Sequence, residues 1–226
     1  MSIQSITLLV AGIINLVMSI LVFSRGVKHN KVNLYFSLLT FFNFLWAIGL
    51  FYSRSFIDLE ITSLFARSTY ISAIAIIISL LYFVIYFPHK TKELSLGLKI
   101  FVWLPAFFLT SIIYSKLFIT HFVNNNGYEY ISYFNKFGFW TYFIYFILTA
   151  LLAIYFLWQK YKVAEGLFKM QIKFLFLAIM VGLVFGTYFD LFLLYFENYR
   201  LNWLGPIFTA FMNGYVFYLI FPRKEK

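Results

Sequence analysis

The sequence predicts an all-α membrane protein, built as a bundle of seven transmembrane helices. Two observations lead to this prediction. First, 63% of the residues are hydrophobic and only 12% are charged, about half the charged share of a typical soluble domain. Second, apolar segments long enough to cross a bilayer as helices follow one another along the chain, with short connections between them. Barrel strands are excluded by the length of the segments, and hydrocarbon tolerates no other spanning backbone.

The segments make up one domain over residues 1–226, because no connection is long enough to fold separately. Each segment is bounded by polar, charged or helix-stopping residues. Their approximate bounds are Ser5–Phe23, Leu34–Tyr52, Ile61–Phe87, Leu98–Ser115, Phe137–Trp158, Ile172–Phe196 and Leu204–Phe221.

The longest connection, between the fourth and fifth segments, has a structure of its own. Two β-prone runs, Phe118–Val123 and Tyr128–Phe134, flank the sequence Asn-Asn-Asn-Gly. Asn-Gly between such runs is a strong signal for a tight turn between antiparallel strands. We therefore predict a small β-hairpin that lies over the mouth of the bundle. An irregular loop is the alternative.

The 18 basic residues are divided unevenly between the two sides of the predicted bundle. One side holds 13, namely Arg25, Lys28, Lys31, Lys90, Lys92, Lys99, Lys160, Lys162, Lys169, Lys173, Arg223, Lys224 and Lys226. The other side holds 5, namely Arg54, Arg67, Lys116, Lys136 and Arg200. Basic residues favour the cytoplasmic side, so we predict an outer N-terminus, an inner C-terminus and an extracellular hairpin. The net charge of +10 then favours contacts with membrane lipids and not with nucleic acid.

Several classes of chemistry are missing from the sequence. There is no cysteine, and all three histidines (His29, His89 and His121) lie in predicted loops. No cluster of metal-binding side chains falls within the apolar segments, and no constellation of a nucleophile and a base is visible in the sequence. We therefore expect no catalytic residue, no metal and no cofactor, and an intramembrane enzyme is the least favoured reading.

Two charged residues, Arg67 and Asp190, lie inside the apolar segments. A charge in the bilayer costs about 2.5 kcal/mol or more, so each needs a partner or a function. Arg67 follows Glu60 by seven residues and Asp190 precedes Glu197 by seven, which places both about 10 Å below the outer surface. An ion pair between the third and sixth segments is one interpretation, either as a structural link or as the floor of a ligand pocket. Alternatively, Arg67 extends toward the head groups.

Four further residues fall at a similar depth and are candidates for the walls of such a pocket. They are Trp46, Tyr70, Asn202 and Pro206. Pro206 can also kink the seventh segment. If these helices converge, they enclose an outward-facing cavity that suits a small organic ligand.

The chain also resembles a known family, the N-terminal seven-helix sensor region of bacterial membrane histidine kinases, which also precedes diguanylate cyclases. The resemblance covers most of the chain. The residues that carry it are Ala66–Tyr70, Phe87–Pro88, Gly138, Lys169–Ile172, Gly182, Asp190, Pro206, Tyr215 and Phe221–Arg223.

The resemblance implies a non-enzymatic sensory module of the bacterial plasma membrane. Such a module detects an extracellular or membrane ligand and passes a conformational signal to a cytoplasmic effector such as a histidine kinase, and it can form a homodimer. The sequence ends soon after Pro222, where an effector would begin, so the chain is either a fragment of a kinase or signals through a partner protein. A small solute transporter or channel is the alternative function, although no internal repeat is visible.

Overall fold

A computed structural model of the chain describes residues 2–28, 30–55, 58–88, 94–125, 129–196 and 198–221. Its helices are α1 (Ile3–Ser24), α2 (Lys31–Ser55), α3 (Leu59–Tyr86), α4 (Leu96–Ile113), α5 (Lys136–Val163), α6 (Gly166–Thr187) and α7 (Leu204–Ile220). A π-helix over Tyr188–Phe192 and a last turn over Leu193–Tyr195 continue α6. Each of the first six helices is long and apolar enough to cross a membrane, if α6 is taken together with its continuation to Tyr195. Helix α7 is apolar but shorter.

Polar side chains fix the start of several helices. Asp58 accepts hydrogen bonds from the backbone of Glu60 and Ile61 at the start of α3, and Asn135 accepts two from the first turn of α5. The first amide groups of a helix have no partner within it, so such caps stabilise its beginning. At the start of α6, Gly166 has φ +56, a left-handed conformation that glycine adopts without strain.

The helices form a closed ring in which α3 is the most central member. Going around the ring, α1 packs on α2, α2 on α3, α3 on α5, α5 on α6, α6 on α7, and α7 on α1. Helix α4 packs outside the ring against α3 and α5. In its most apolar window α3 is 67% buried, whereas α4 is 28% buried. The remaining surface of the outer helices is largely apolar, as contact with lipid requires.

The connection between α4 and α5 forms a two-stranded antiparallel sheet, β1 (Ile119–Asn125) and β2 (Glu129–Phe134). The predicted turn sequence falls partly on residues 126–128, which lie outside the described residues. Phe118, just before β1, is fully buried and packs against Tyr70, Phe134 and Tyr142. The sheet is therefore anchored to the bundle by an aromatic cluster. We refer to this end of the bundle as the hairpin end.

At the opposite end of the bundle, a buried lysine of α5 contacts the end of α3. Lys160, counted above with the 13 basic residues of one side, lies within α5 and is 1% exposed. Its Nζ donates to the carbonyl oxygens of Val84 at 2.6 Å, Ile85 at 2.8 Å and Phe87 at 2.6 Å. These carbonyls belong to the C-terminal turn of α3, where the helix dipole favours a cation. The lysine thus links α5 to the end of α3.

Two boundaries differ from the predicted ones in a way that matters for the site. Helix α6 begins at Gly166, before the predicted Ile172, and its course is interrupted by the π-helix. Pro206 lies in the first turn of α7, and not in the interior of the helix. There its missing N–H deprives the helix of no hydrogen bond, so the kink expected at this proline has no basis.

Candidate ligand-binding site

A cavity of about 100 Å³ lies between α2, α3, α5, α6 and α7. Along α3 its wall runs from Thr69 to Leu80, a rise of about 16 Å for a helix. Most of the wall is aliphatic or aromatic. The polar residues of the lining are Asn43, Trp46, Thr69, Tyr70, Tyr142, Thr187, Asp190, Thr209 and Asn213. A mostly apolar enclosure with a few polar groups is the usual composition of a small-molecule site.

The structure brings together three of the six residues that the sequence placed in the pocket. Trp46, Tyr70 and Asp190 line the cavity. Asn202 instead lines a smaller neighbouring chamber. Arg67 and Pro206 line neither of these two spaces.

Asp190 occupies the π-helix that continues α6. In this segment Leu193 N–H donates to the carbonyl of Tyr188, five residues earlier. Turns of this kind are rare, and they occur frequently at functional sites. The wider turn changes which side chains of α6 face the neighbouring helices. The spacing of apolar residues in the sequence gives no sign of it.

The Asp190 carboxyl group lies in close contact with Gly205, at the start of α7. A Cβ atom at position 205 would lie 1.8 Å from Asp190 Oδ2 and 2.9 Å from Trp46 Cη2. A side chain at position 205 would therefore require the carboxyl group and the indole ring to shift. Gly205 was not among the predicted site residues. Its position beside Pro206 was the only available signal.

Two buried oxygen atoms of the cavity lining have no hydrogen-bond partner among the described residues: Asp190 Oδ2 and Asn43 Oδ1. The Asn43 amide nitrogen donates to the carbonyl of Leu39 at 2.8 Å, so the amide presents an acceptor. A third such atom, Trp203 Nε1, belongs to a residue that packs against the cluster of Leu8, Trp46 and Leu50 and does not itself line the cavity. A buried polar atom without a partner costs about 1–3 kcal/mol, and more if it is charged. Both atoms line the same cavity, which makes it the candidate ligand-binding site.

The smaller chamber, which we call the antechamber, has a volume of about 40 Å³ and lies at the hairpin end. Phe122 and Ser132 of the hairpin border it, and Leu50, Thr69, Tyr70 and Leu194 line both it and the cavity. Asn202 accepts a hydrogen bond from Arg54 Nη1, and Arg54 Nη2 donates to Gln4 Oε1 at 2.6 Å. These bonds tie the start of α1 and the segment before α7 to the end of α2. The antechamber is therefore covered by a polar network.

The ion pair predicted between Arg67 and Asp190 is not present in the described part of the chain. Arg67 instead donates to the carbonyl oxygens of Ile113, Ser115 (3.0 Å) and Ile119 (3.1 Å). These groups belong to the end of α4 and the approach to β1, where carbonyls lack helical partners. A guanidinium group has several donors in a fixed fork and suits such a cluster. The sequence predicted a similar depth for the two charged residues, but depth does not determine which neighbouring helix a side chain faces.

The stabilities of two variants distinguish these arrangements. We expect Arg67→Ala to lower the free energy of unfolding by about 1–3 kcal/mol, because three carbonyls lose their donor. Asp190→Asn should not lower it, because the carboxyl oxygen Oδ2 has no partner to lose. The effects should add in the double variant within about 0.5 kcal/mol. Thermal unfolding in detergent measures all three. Destabilisation by both single changes, with a double variant that loses less than their sum, would instead indicate an ion pair.

Among the described residues, no group of three or more His, Cys, Asp or Glu side chains is placed to hold a metal ion. The cavity lining contains one acidic residue, Asp190, and no Lys, Arg or His. The chemistry available there is therefore hydrogen bonding, charge attraction and apolar contact.

Comparison with known proteins identifies the family. A family model for the N-terminal 7TM region of histidine kinase matches residues 7–224, a range that includes most of α1 and the whole of α2 to α7. Searches among curated proteins and among solved structures gave no match. The match confirms the resemblance seen in the sequence, and with six long apolar helices and a shorter one the protein is a multi-pass protein of the cell membrane. The chain belongs to the family of N-terminal 7TM regions of histidine kinases.

Proposed function

We propose that the chain is a non-enzymatic sensory input module that binds a small ligand in the cavity and passes a conformational change to a cytoplasmic signalling partner such as a histidine kinase. Membership of the family supports the sensory role. Its partners are then membrane lipids, the ligand and the signalling protein, with the module acting as a monomer or a homodimer.

The observation that carries this proposal is the pair of buried acceptors, Asp190 Oδ2 and Asn43 Oδ1, in the lining of one cavity. A protein whose helices served only to pack would gain stability by replacing them with apolar groups. Residues that lower stability are common at binding sites, where function selects them. The π-helix that contains Asp190 also supports a binding function, because such turns occur frequently at functional sites.

The cavity is in direct contact with the last helix. Thr209, Met212 and Asn213 of α7 line it, and Asp190 rests against Gly205 of the same helix. A ligand that draws the Asp190 carboxyl group away from Gly205 would therefore change the packing of α7. Binding shifts a population only if the ligand interacts differently with the two packings, and contact with α7 provides such a difference.

At the other end, α7 is held by three helices. Arg25, just after α1, donates to the carbonyl of Phe221 at 3.2 Å and lies over the Phe217 ring at 5.6 Å. Phe36 of α2 packs against the rings of Phe217 and Phe221. Gln171 of α6 donates to the carbonyl of Leu219 at 3.3 Å. A shift of α7 must therefore alter contacts at its exit. We propose that the signal leaves the module there.

The basic residues support an orientation with the N-terminus and the hairpin outside and the C-terminus in the cytoplasm. In that orientation the antechamber lies on the extracellular side of the cavity. The exit of α7, with Arg25, lies on the cytoplasmic side, as coupling to a kinase requires.

The test is to fuse the whole chain in frame to a histidine kinase core and measure phosphorylation in membranes while compounds are screened. We expect at least one class of compound to change phosphorylation in a dose-dependent manner. In parallel, the chain alone is reconstituted in liposomes and solute flux is measured. Flux of a solute, together with a fusion that responds to no compound, would overturn the receptor proposal in favour of the transporter.

A further inference from the structure

We infer that the ligand of the cavity is an apolar amine, a molecule with one protonated amino group on a compact hydrocarbon body. This assignment rests on the receptor function proposed above and names the class of molecule that the receptor detects.

The two unpartnered atoms of the cavity select the chemistry of the ligand. Asn43 Oδ1 accepts hydrogen bonds, and Asp190 Oδ2 does so in the ionised carboxyl group that a cationic ligand stabilises, so the complementary ligand group is a donor. A carboxylate in a low-dielectric enclosure favours a cationic donor over a neutral one. Arg67 does not provide that cation, because it donates to carbonyl groups at the end of α4. An anionic ligand would meet Asp190 in a lining that contains no Lys, Arg or His.

Aromatic rings surround the carboxyl group. Asp190 Oδ2 and Trp46 Cη2 lie 1.8 and 2.9 Å from the position that a Cβ atom of residue 205 would take, so the carboxyl oxygen and the indole ring are neighbours. Tyr70 and Tyr142 also line the cavity, and their rings meet edge to face at 5.6 Å. Aromatic faces attract an ammonium group by cation–π interaction. A carboxylate with aromatic neighbours is therefore a typical environment for an organic cation.

The rest of the cavity is suited to the hydrocarbon body of the ligand. Beyond these groups the wall is aliphatic, with Ile77, Leu80 and Ile179 among its members. A lipid-facing apolar groove of about 400 Å³ lies between α5 and α6, and it shares Leu183 and Thr187 with the cavity. Both surfaces favour hydrocarbon over polar groups. A polyamine or an amino sugar would leave polar groups unpaired there, which disfavours it.

The experiment uses the full chain in nanodiscs of phosphatidylcholine, a lipid without a primary amine. Hexylamine, hexanol and hexanoate are titrated separately, and thermal unfolding and tryptophan fluorescence are recorded, since Trp46 lines the cavity. We expect hexylamine to raise the melting temperature and change the fluorescence, and hexanol and hexanoate to have little effect. Discs that also contain phosphatidylethanolamine distinguish a free amine from a lipid headgroup. If phosphatidylethanolamine alone occupies the site, so that added hexylamine has no further effect, the amine that the site binds is a lipid headgroup.

Two variants locate the binding. Asp190→Asn keeps the shape of the side chain and removes its charge, and we expect it to weaken hexylamine binding by about tenfold to a hundredfold. Asn43→Leu removes the other acceptor and should weaken it less. If hexanol or hexanoate binds as well as hexylamine, or if Asp190→Asn leaves hexylamine affinity unchanged in a folded protein, the amine assignment is wrong. The receptor proposal would survive that result if the kinase fusion still responds to other compounds.

Discussion

Replacing Lys160 with methionine should lower the free energy of unfolding by about 2–4 kcal/mol, because three buried carbonyls at the end of α3 would lose a charged donor. Methionine has a similar length and fills the same space, so the loss is that of the hydrogen bonds and the charge. Thermal unfolding in detergent, followed by circular dichroism, measures the effect.

The matched control for this change is Lys162→Met, in the same last turn of α5. Lys162 is exposed and lies over the Trp158 ring at 5.7 Å, an interaction that contributes about 0.5–1 kcal/mol at an exposed site. The control should therefore lose no more than that amount. Equal losses in the two variants would mean that the contacts of Lys160 with the end of α3 are not important for stability.

The second large effect is expected from Gly205→Ala. The new methyl group would lie 1.8 Å from Asp190 Oδ2 and 2.9 Å from the Trp46 ring, so both side chains must move. We expect the kinase fusion to lose its response to ligand or to become locked in one signalling state, because the site and the start of α7 change together. Dose–response curves of phosphorylation measure this.

Gly214→Ala, on the same helix, is the control. A Cβ atom there meets no other atom within 4 Å, and alanine favours a helix over glycine by about 1 kcal/mol. The variant should respond like the parent and be at least as stable. If Gly205→Ala also responds normally, the contact between Asp190 and α7 does not transmit the signal.

The positions of the helices could be predicted from the sequence because the bilayer imposes a length and a polarity on each crossing. The two strands between α4 and α5 followed from local turn chemistry, Asn-Gly between β-prone runs. Both signals are local in the chain. The side of the membrane on which the hairpin lies depends on the distribution of basic residues and stays a prediction.

The site was predicted only in part because its geometry depends on how the helices are rotated. Depth can be counted along a helix, and Asp190, Trp46 and Tyr70, for which a similar depth was predicted, all line the cavity. The side that a residue faces cannot be counted in the same way, and Arg67 consequently faces the end of α4. Asn43 carried a signal that was not used, an amide in the middle of an apolar helix.

We propose that occupation of the cavity controls signalling. The most direct test is to measure phosphorylation by two variants of the kinase fusion, Ala73→Leu and Ala75→Leu. Ala73 lines the cavity, whereas Ala75, on the same helix, lines neither the cavity nor the antechamber. The larger side chain at position 73 reduces the space for a ligand, so we predict that Ala73→Leu no longer responds to an active compound while Ala75→Leu responds like the parent. An Ala73→Leu fusion with the dose dependence and amplitude of the parent would contradict the account.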